Sequence, residues 1–234
     1  AEVADKRIRD RLAIANAEAN PELVRVALKM ATGSGKTMVM AMLIAWQTVN
    51  KARRPGSTSF ADTFLVITPG ITIRDRLRVL LPSDPENYYE TRDLVPFDMR
   101  DDLRKAKVVI TNYHAFRRRE TLEAPKLARE ILKGHDKELN TLETEGQMVA
   151  RVCPELMARK HIVIINDEAH HCYREKVGAE KPKLNPDDKV EAKRNAEAAR
   201  VWISGIEAVQ RVLKTRATVY DLSATPFFLR GSGY

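Results

Sequence analysis

Residues 30–37 read Met30-Ala31-Thr32-Gly33-Ser34-Gly35-Lys36-Thr37, and they lie between an apolar segment typical of a strand and one typical of a helix. Glycines permit a tight turn that points backbone N–H groups inward, so the run predicts a phosphate-binding loop. Lys36 would reach the β- and γ-phosphates of a nucleoside triphosphate, and the Thr37 hydroxyl is a suitable ligand for Mg²⁺. The usual pattern has glycine at the position of Met30, so the prediction needs independent support. The predicted nucleotide-binding residues are Thr32, Gly33, Ser34, Gly35, Lys36 and Thr37.

A second motif supplies that support at residues 162–170, Ile162-Val163-Ile164-Ile165-Asn166-Asp167-Glu168-Ala169-His170. The apolar run is typical of a buried parallel strand, and ligands of parallel sheets gather where the strands end. Hydrolysis of a phosphoanhydride needs one carboxylate to hold Mg²⁺ and another to orient or deprotonate the attacking water. Asp167 and Glu168 could divide these tasks. An isolated Asp-Glu pair would more simply begin a loop or cap a helix, but beside the glycine-rich loop it indicates a nucleotide-hydrolysing site.

Length and composition restrict the class of protein. The chain has 234 residues, which fits one large α/β domain or one domain carrying an insertion. Its longest apolar helical run, Met38 to Val49, is shorter than the ~20 residues that span a bilayer, so we expect no membrane partner. Two cysteines make a poor disulfide framework and no secretory signal opens the chain, so we expect a cytoplasmic protein. The net charge of +8 favours nucleic acid as a polyanionic partner.

Strands and helices alternate along the chain, which predicts a doubly wound parallel sheet flanked by helices. The predicted strands are Val24 to Met30, Phe64 to Thr68, Lys107 to Asn112, Ile162 to Asn166 and Thr218 to Leu222. The predicted helices include Lys36 to Val49, Ile71 to Leu81 and Lys189 to Leu213, and Lys51 to Thr63 is predicted to be a loop. Two stretches interrupt the alternation. Residues 117–160 are predicted to be a helical insertion, and residues 174–194 a mobile surface loop.

Five segments occur in the order of the motifs of superfamily 2 helicases, and they resemble motifs I, Ia, Ib, II and III. These segments are Ala31 to Thr37, Val66 to Gly70, Val109 to Tyr113, Asp167 to His170 and Leu222 to Pro226. The resemblance covers about residues 24–226 and implies a RecA-like P-loop NTPase domain, the first of two in an ATP-dependent motor. A narrower resemblance, carried by residues 28–37, 167–173 and 222–234, is to the motor subunit of type III restriction endonucleases.

The resemblance implies a role for each motif. Thr37 and Asp167 would hold Mg²⁺, and Glu168 would be the catalytic base. The implied catalytic residues are Glu168, Asp167, Lys36 and His170, of which the last would contact motif III or the γ-phosphate region. Ser223 and Thr225 would couple hydrolysis to movement between domains. Contacts to a nucleic-acid backbone would come from motifs Ia and Ib, through Thr68, Pro69, Gly70, Arg74, Thr111 and Asn112.

Superfamily 2 motors close two RecA-like domains over ATP, and the second domain supplies an arginine finger. No second set of strands follows Pro226, so we expect residues 1–234 to form a single domain that binds ATP and hydrolyses it slowly alone. The expected partners are duplex DNA, a second RecA-like domain of the same parent chain, and a methyltransferase or specificity subunit. A nuclease domain is also expected to lie elsewhere.

Other interpretations remain open. A general DNA-repair or RNA helicase would have the same nucleotide pocket and a different nucleic-acid partner. A nucleotide-binding switch or scaffold would respond to nucleotide without binding nucleic acid, and a metabolic P-loop kinase would need an acceptor site that we do not recognise. The basic run at residues 100–119 is either a nucleic-acid surface or a solvated face. The methionines at positions 38, 40 and 42 are predicted to pack in the core, and Trp46 and Trp202 to be core or partly exposed anchors.

Overall fold

The computed structural model describes residues 24–120, 142–169, 186–214 and 216–224, together with positions 6, 7, 10, 11 and 14. Five strands form one sheet: β1 (Val24–Lys29), β2 (Thr63–Thr68), β3 (Lys107–Asn112), β4 (His161–Asp167) and β5 (Arg216–Ser223). Their order across the sheet is β1-β5-β4-β2-β3, and every neighbouring pair is parallel. The predicted α/β fold with a parallel sheet is confirmed, and each predicted strand overlaps an observed one.

Helices connect the strands. The α-helices are α1 (Lys36–Arg53), α2 (Ile71–Arg76), α3 (Tyr88–Thr91), α4 (Arg100–Leu103), α5 (Glu145–Val152) and α6 (Pro186–Leu213). Single 3₁₀ turns occur at Leu77–Leu80, Phe97–Met99, Tyr113–Phe116 and Pro154–Leu156. Within the described part of the chain, no helix is both long enough and apolar enough to cross a membrane.

The sheet has a hydrophobic layer on each face, because successive side chains of a strand point to opposite sides. One layer contains Leu65 and Ile67 of β2 with Ile162 and Ile164 of β4, and α5 and α6 cover it. The other contains Phe64, Val66, Val163 and Ile165, and α1 covers it. Burial on both faces accounts for the unbroken apolar runs of β2 and β4. Both strands therefore end in a rigid, close-packed part of the domain.

Several predicted element boundaries differ from the observed ones, and two of the differences have a clear physical reason. The helix predicted over Ile71 to Leu81 ends at Arg76, and Leu77–Leu80 continues as a 3₁₀ turn. In a 3₁₀ turn, residues i and i+3 share one face, which buries Leu77 and Leu80 together. The loop predicted from residue 51 begins later because α1 runs to Arg53. Lys51 Nζ stabilises this helix end by donating hydrogen bonds to the carbonyls of residues 55 and 57.

The structure describes part of each predicted interruption. Residues 186–188, predicted to be a loop, form the start of α6, three residues before the predicted helix start at Lys189. Pro186 is the first helical residue, where the missing N–H has no intrahelical partner to lose. Residues 174–185 lie outside the described residues. In the 117–160 stretch, α5 begins with a Thr144–Gln147 capping box, and residues 121–141 lie outside the described part.

Side-chain burial corrects part of the core prediction. Met40 is fully buried, but Met42 is 51% exposed because it lies on the opposite side of α1. Trp46 is 55% exposed, whereas Trp202 is completely buried. Tyr89 is also buried, and its hydroxyl donates a hydrogen bond to the Leu80 carbonyl at 2.8 Å. Tyr89 is therefore part of the core and has no free face on which a base could stack.

Candidate nucleotide-binding site

The loop between β1 and α1 has a backbone that suits an anion. Gly33 and Gly35 have φ values of 77° and 87°, a conformation that glycine adopts at little cost. Ser34 N–H and Ser34 Oγ both donate to the Ala31 carbonyl, at 3.2 and 2.7 Å, and close the turn. Gly35 is the N-cap residue of α1 and has no side chain to cap the helix, and the first turn of α1 has no acidic residue. The N-terminal amides and the positive end of the helix dipole are thus available to phosphate oxygens.

Lys36, the first residue of α1, connects this loop with the carboxylates of β4. Its Nζ lies 2.6 Å from Glu168 Oε1, and the two side chains are 11% and 27% exposed. The contact is an ion pair, because Nζ makes no directed hydrogen bond within the described residues. An ammonium group has three donors that can rotate to a new acceptor, so Lys36 can exchange Glu168 for another anionic partner. A phosphate oxygen is such a partner.

Asp167 ends β4 as a buried carboxylate with little compensating charge. Its side chain accepts the Glu168 N–H at 3.0 Å, and Glu168 itself has a left-handed φ of 49°. Burial first, and then the negative charge of Glu168, raise the pKa of Asp167 to about 6, although Lys36 acts in the opposite direction. Positive φ at a non-glycine residue is uncommon and is concentrated at functional sites. A divalent cation would supply the positive charge that Asp167 lacks.

The residues fit Mg²⁺ bound together with phosphate. Across the described ranges, no group of three or more His, Cys, Asp or Glu side chains converges on one point. Mg²⁺ is commonly held by one or two protein oxygens, with water and phosphate oxygens completing its shell. Asp167 and the hydroxyl of Thr37 are the side chains that would provide those protein oxygens. His170, also predicted for this site, lies outside the described residues.

Motif III is adjacent to the phosphate loop because β5 lies between β1 and β4. Ser223 is opposite Lys29 in the β1–β5 register, and its carbonyl accepts the Met30 N–H at 2.9 Å. On the other side of β5, Leu222 is opposite Asp167. The end of β5 therefore connects both parts of the nucleotide site. Thr225 lies outside the described residues.

The predicted nucleic-acid residues lie where β2 and β3 end. Thr68 is opposite Asn112 in the register of these strands, and Thr111 precedes it in β3. Thr68 is fully buried, and its hydroxyl donates to the Gly70 carbonyl at 2.9 Å, while Asn112 Oδ1 accepts the Ala115 N–H at 3.2 Å. These side chains stabilise the turns that follow β2 and β3. The groups that remain accessible include the half-exposed Arg74 side chain and the partly exposed residues Pro69 and Gly70.

Acidic neighbours balance much of the basic run at residues 100–119. Arg104 and Lys105 pair with Asp101 and Asp102 at 2.7 and 2.9 Å. The arginines at 117 and 118 lie 3.6 and 3.4 Å from Glu197 and Glu145. This pairing favours the interpretation of the run as a solvated, ion-paired face.

A buried polar network behind the carboxylates was not predicted from the sequence. Asn166 Nδ2 donates to Asp221 Oδ1 at 2.6 Å, and Trp202 Nε1 donates to Asn166 Oδ1 at 3.0 Å. Arg25 donates to the other oxygen of Asp221 from Nε and Nη2, at 3.0 and 2.6 Å. Two signals could have indicated the network. An asparagine directly follows the apolar run of β4, and a tryptophan that is buried on a helix requires an acceptor for its N–H.

The glycine-rich loop, the paired carboxylates and the parallel sheet define a P-loop NTPase domain of the RecA-like type. A family model described as "Type III restriction enzyme, res subunit" matches residues 5–228, and the chain belongs to this family. In the family this region is the helicase-type ATPase domain, shared with related superfamily 2 proteins. Comparison with curated proteins returned no match, and comparison with solved structures returned none.

Proposed function

We propose that this chain is the ATP-binding domain of an ATP-dependent DNA translocase, the motor subunit of a type III restriction-modification enzyme. The observation that carries the proposal is the 2.6 Å contact between Lys36 Nζ and Glu168 Oε1. It brings the lysine of the phosphate loop together with Glu168, the carboxylate that directly follows β4, at the edge of the sheet. Phosphoryl transfer to water needs such a cation for the phosphates beside a base for the nucleophile.

Binding of a triphosphate would exchange the partners of Lys36. The loop amides and Lys36 would bind the β- and γ-phosphates, and the Glu168 carboxylate would lose its ion pair. Glu168 would then orient a water molecule toward the γ-phosphorus and accept its proton as the new P–O bond forms, while the bond from the γ-phosphorus to the β,γ-bridging oxygen breaks and the nucleoside diphosphate leaves. Asp167 and Thr37 would hold Mg²⁺, which neutralises charge on the phosphate oxygens when bound.

The ends of β2 and β3 would contact the backbone of duplex DNA without reading its sequence. Arg74, Pro69 and Gly70 are at least partly exposed there, and Thr68, Thr111 and Asn112 would stabilise the turns that follow the two strands. Ser223, with Thr225, would transmit the state of the nucleotide to a second RecA-like domain. We further propose that residues 1–234 form one motor domain, and that the parent enzyme works with a methyltransferase or specificity subunit.

Steady-state hydrolysis of Mg·ATP tests the proposal. It would be measured for this chain and for the longest natural chain that contains it, without nucleic acid and with duplex DNA, single-stranded DNA or RNA. We expect duplex DNA to stimulate the longer chain and this chain to stay slow, because an arginine finger from a second domain contributes roughly 10³ to 10⁵ in rate. In the longer chain, Glu168→Gln should abolish turnover, whereas Glu86→Gln, the same change at an exposed position, should not.

Two results would contradict the proposal in different ways. Rapid, DNA-independent hydrolysis by this chain would favour a self-contained nucleotide switch. Stimulation by RNA and not by duplex DNA would favour an RNA helicase with the same pocket.

A further inference from the structure

The buried network connects the carboxylate strand with the turn that follows β3, and the connection passes through Trp202. On one side, Trp202 Nε1 donates to Asn166, the residue before Asp167, at 3.0 Å. On the other side, its ring stacks on Tyr113, with centroids 5.1 Å apart and planes 5° apart. The ring of Tyr113 in turn lies 3.9 Å from that of the exposed His114. A continuous line of contacts therefore runs from the nucleotide site to the surface at the end of β3.

A second contact fixes the same two elements together. Trp202 and Gly205 are three residues apart on α6, and they face Tyr113 and Phe116, which are three apart in the 3₁₀ turn. A Cβ atom at Gly205 would overlap the Phe116 side chain, so the turn rests directly on the helix backbone. This turn also begins at Asn112, which caps it. Because α6 and the turn touch at two points, they should move as one unit.

The hydrogen bonds of Asn166 leave it little freedom. Its Nδ2 donates to Asp221 and its Oδ1 accepts from Trp202, and all three side chains are buried. A shift of Asp167 or Glu168 on binding nucleotide would therefore reach Trp202 through the adjoining residue of β4. Close-packed elements of this kind tend to change between discrete arrangements rather than absorb small shifts.

We propose that Trp202 is a positioning residue that couples the nucleotide site to the nucleic-acid contacts at the end of β3. Its N–H fixes Asn166, and its ring fixes the Tyr113–Phe116 turn. The inference rests on the proposed function, since it requires that the protein bind both nucleotide and DNA. The coupling is reciprocal, so each ligand should change the affinity for the other by one common factor.

The test is the coupling factor, the ratio of Kd values for Mg·AMP-PNP without and with saturating duplex DNA, in the longest natural chain. We expect a ratio of about 5 to 150 for the wild type. Trp202→Phe keeps a ring against Tyr113 but removes the donor to Asn166, so its ratio should approach one. Tyr113→Leu removes the stack and should do the same, whereas Tyr113→Phe keeps the ring and should retain the wild-type ratio. The Kd for nucleotide alone should change less than about threefold in each variant, which a general loss of structure would not permit.

The possible results separate this inference from the proposed function. A wild-type ratio in Trp202→Phe, or a wild type that binds both ligands with a ratio of one, would overturn the inference alone. A wild type that fails to bind nucleotide or DNA would overturn both.

Fluorescence provides a measurement that does not perturb Trp202. The chain contains two tryptophans, and the other, Trp46, is 55% exposed and packs edge-on to Phe60. In the Trp46→Phe variant of this chain, all tryptophan emission comes from Trp202. We expect the emission to change on adding Mg·AMP-PNP alone and, separately, on adding duplex DNA alone. Emission that responds to neither ligand while both bind would overturn the proposal.

Discussion

Exchanging Glu168 for glutamine removes one negative charge that lies 2.6 Å from Lys36 Nζ in the ligand-free protein. We expect Glu168→Gln to bind Mg·ATP more tightly than the wild type and to have lost hydrolysis. In the wild type, Lys36 must leave Glu168 before it can bind the phosphates fully, and the freed carboxylate then faces a highly negative ligand. In the variant, no ion pair has to be broken and no carboxylate faces the phosphates.

The partial burial of the pair sets the size of the effect. Exposed pairs contribute ~0.2–1 kcal/mol, and this pair, with side chains 11% and 27% exposed, should lie at or above the upper end. Adding the relief of carboxylate–phosphate repulsion gives about 1–2 kcal/mol, which is about a 5- to 30-fold lower Kd. Lys36→Ala should act in the opposite direction. It removes a charge-assisted contact worth about 1.5–3 kcal/mol and should raise the Kd about 10- to 150-fold.

The assay is titration with a fluorescent ATP analogue in excess Mg²⁺ at pH 8, where Asp167 is ionised. Glu86→Gln, at an exposed position, is the matched control and should leave the Kd unchanged. In the double variant Lys36→Ala/Glu168→Gln, the gain from glutamine should shrink, because the pair it relieves is already absent. A Kd for Glu168→Gln that equals or exceeds that of the wild type would refute the proposed exchange of partners.

Three further predictions concern stability and pH. Arg25→Met should lower the free energy of unfolding by about 3–5 kcal/mol in urea titrations, because Asp221 would keep a buried charge without its arginine; a loss below about 1 kcal/mol would contradict this. Gly205→Ala should lower the melting temperature, because overpacking against Phe116 costs ~1–3 kcal/mol and the higher helix propensity of alanine returns at most ~1 kcal/mol. A higher melting temperature would show that the Tyr113–Phe116 turn can shift freely. The pKa of Asp167, raised to about 6, predicts that Mg²⁺-dependent nucleotide affinity falls as the pH drops from 7 to 5, since the protonated acid is a poor ligand. The same shift should make the ligand-free protein less stable as the pH rises from about 4 to 6, because the folded state holds the proton more tightly than the unfolded state. Asp167→Asn should reduce both dependences, and profiles identical to the wild type would contradict the assignment.

The sequence was informative where local pattern determines structure. The apolar runs of β2 and β4 could be recognised as buried parallel strands because both faces of each are covered. The phosphate loop could be recognised because glycines are needed where φ is positive. The start of α6 lies three residues before the predicted start at Lys189, because proline is favoured at the first helical position and the polar composition of the preceding stretch resembles that of a loop.

Long-range pairing could not be predicted in the same way. The position of β5 between β1 and β4 brings Ser223 to the first residue of the phosphate loop, yet no local pattern specifies that order. The hydrogen bond between Trp202 and Asn166 joins residues 36 positions apart. The sequence indicates only that each side chain needs a hydrogen-bond partner if it is buried. The exposure of Met42 is a local feature that helical periodicity does indicate, because residues 40 and 42 lie on opposite sides of a helix.

The most direct test of the central claim is a crystal structure of this chain with Mg·AMP-PNP. We expect Lys36 Nζ to leave Glu168 and to lie within hydrogen-bonding distance of the β- and γ-phosphates. We also expect the Thr37 and Asp167 side chains to hold Mg²⁺ together with the phosphates. A nucleotide bound elsewhere, with Lys36 still paired to Glu168, would contradict the account.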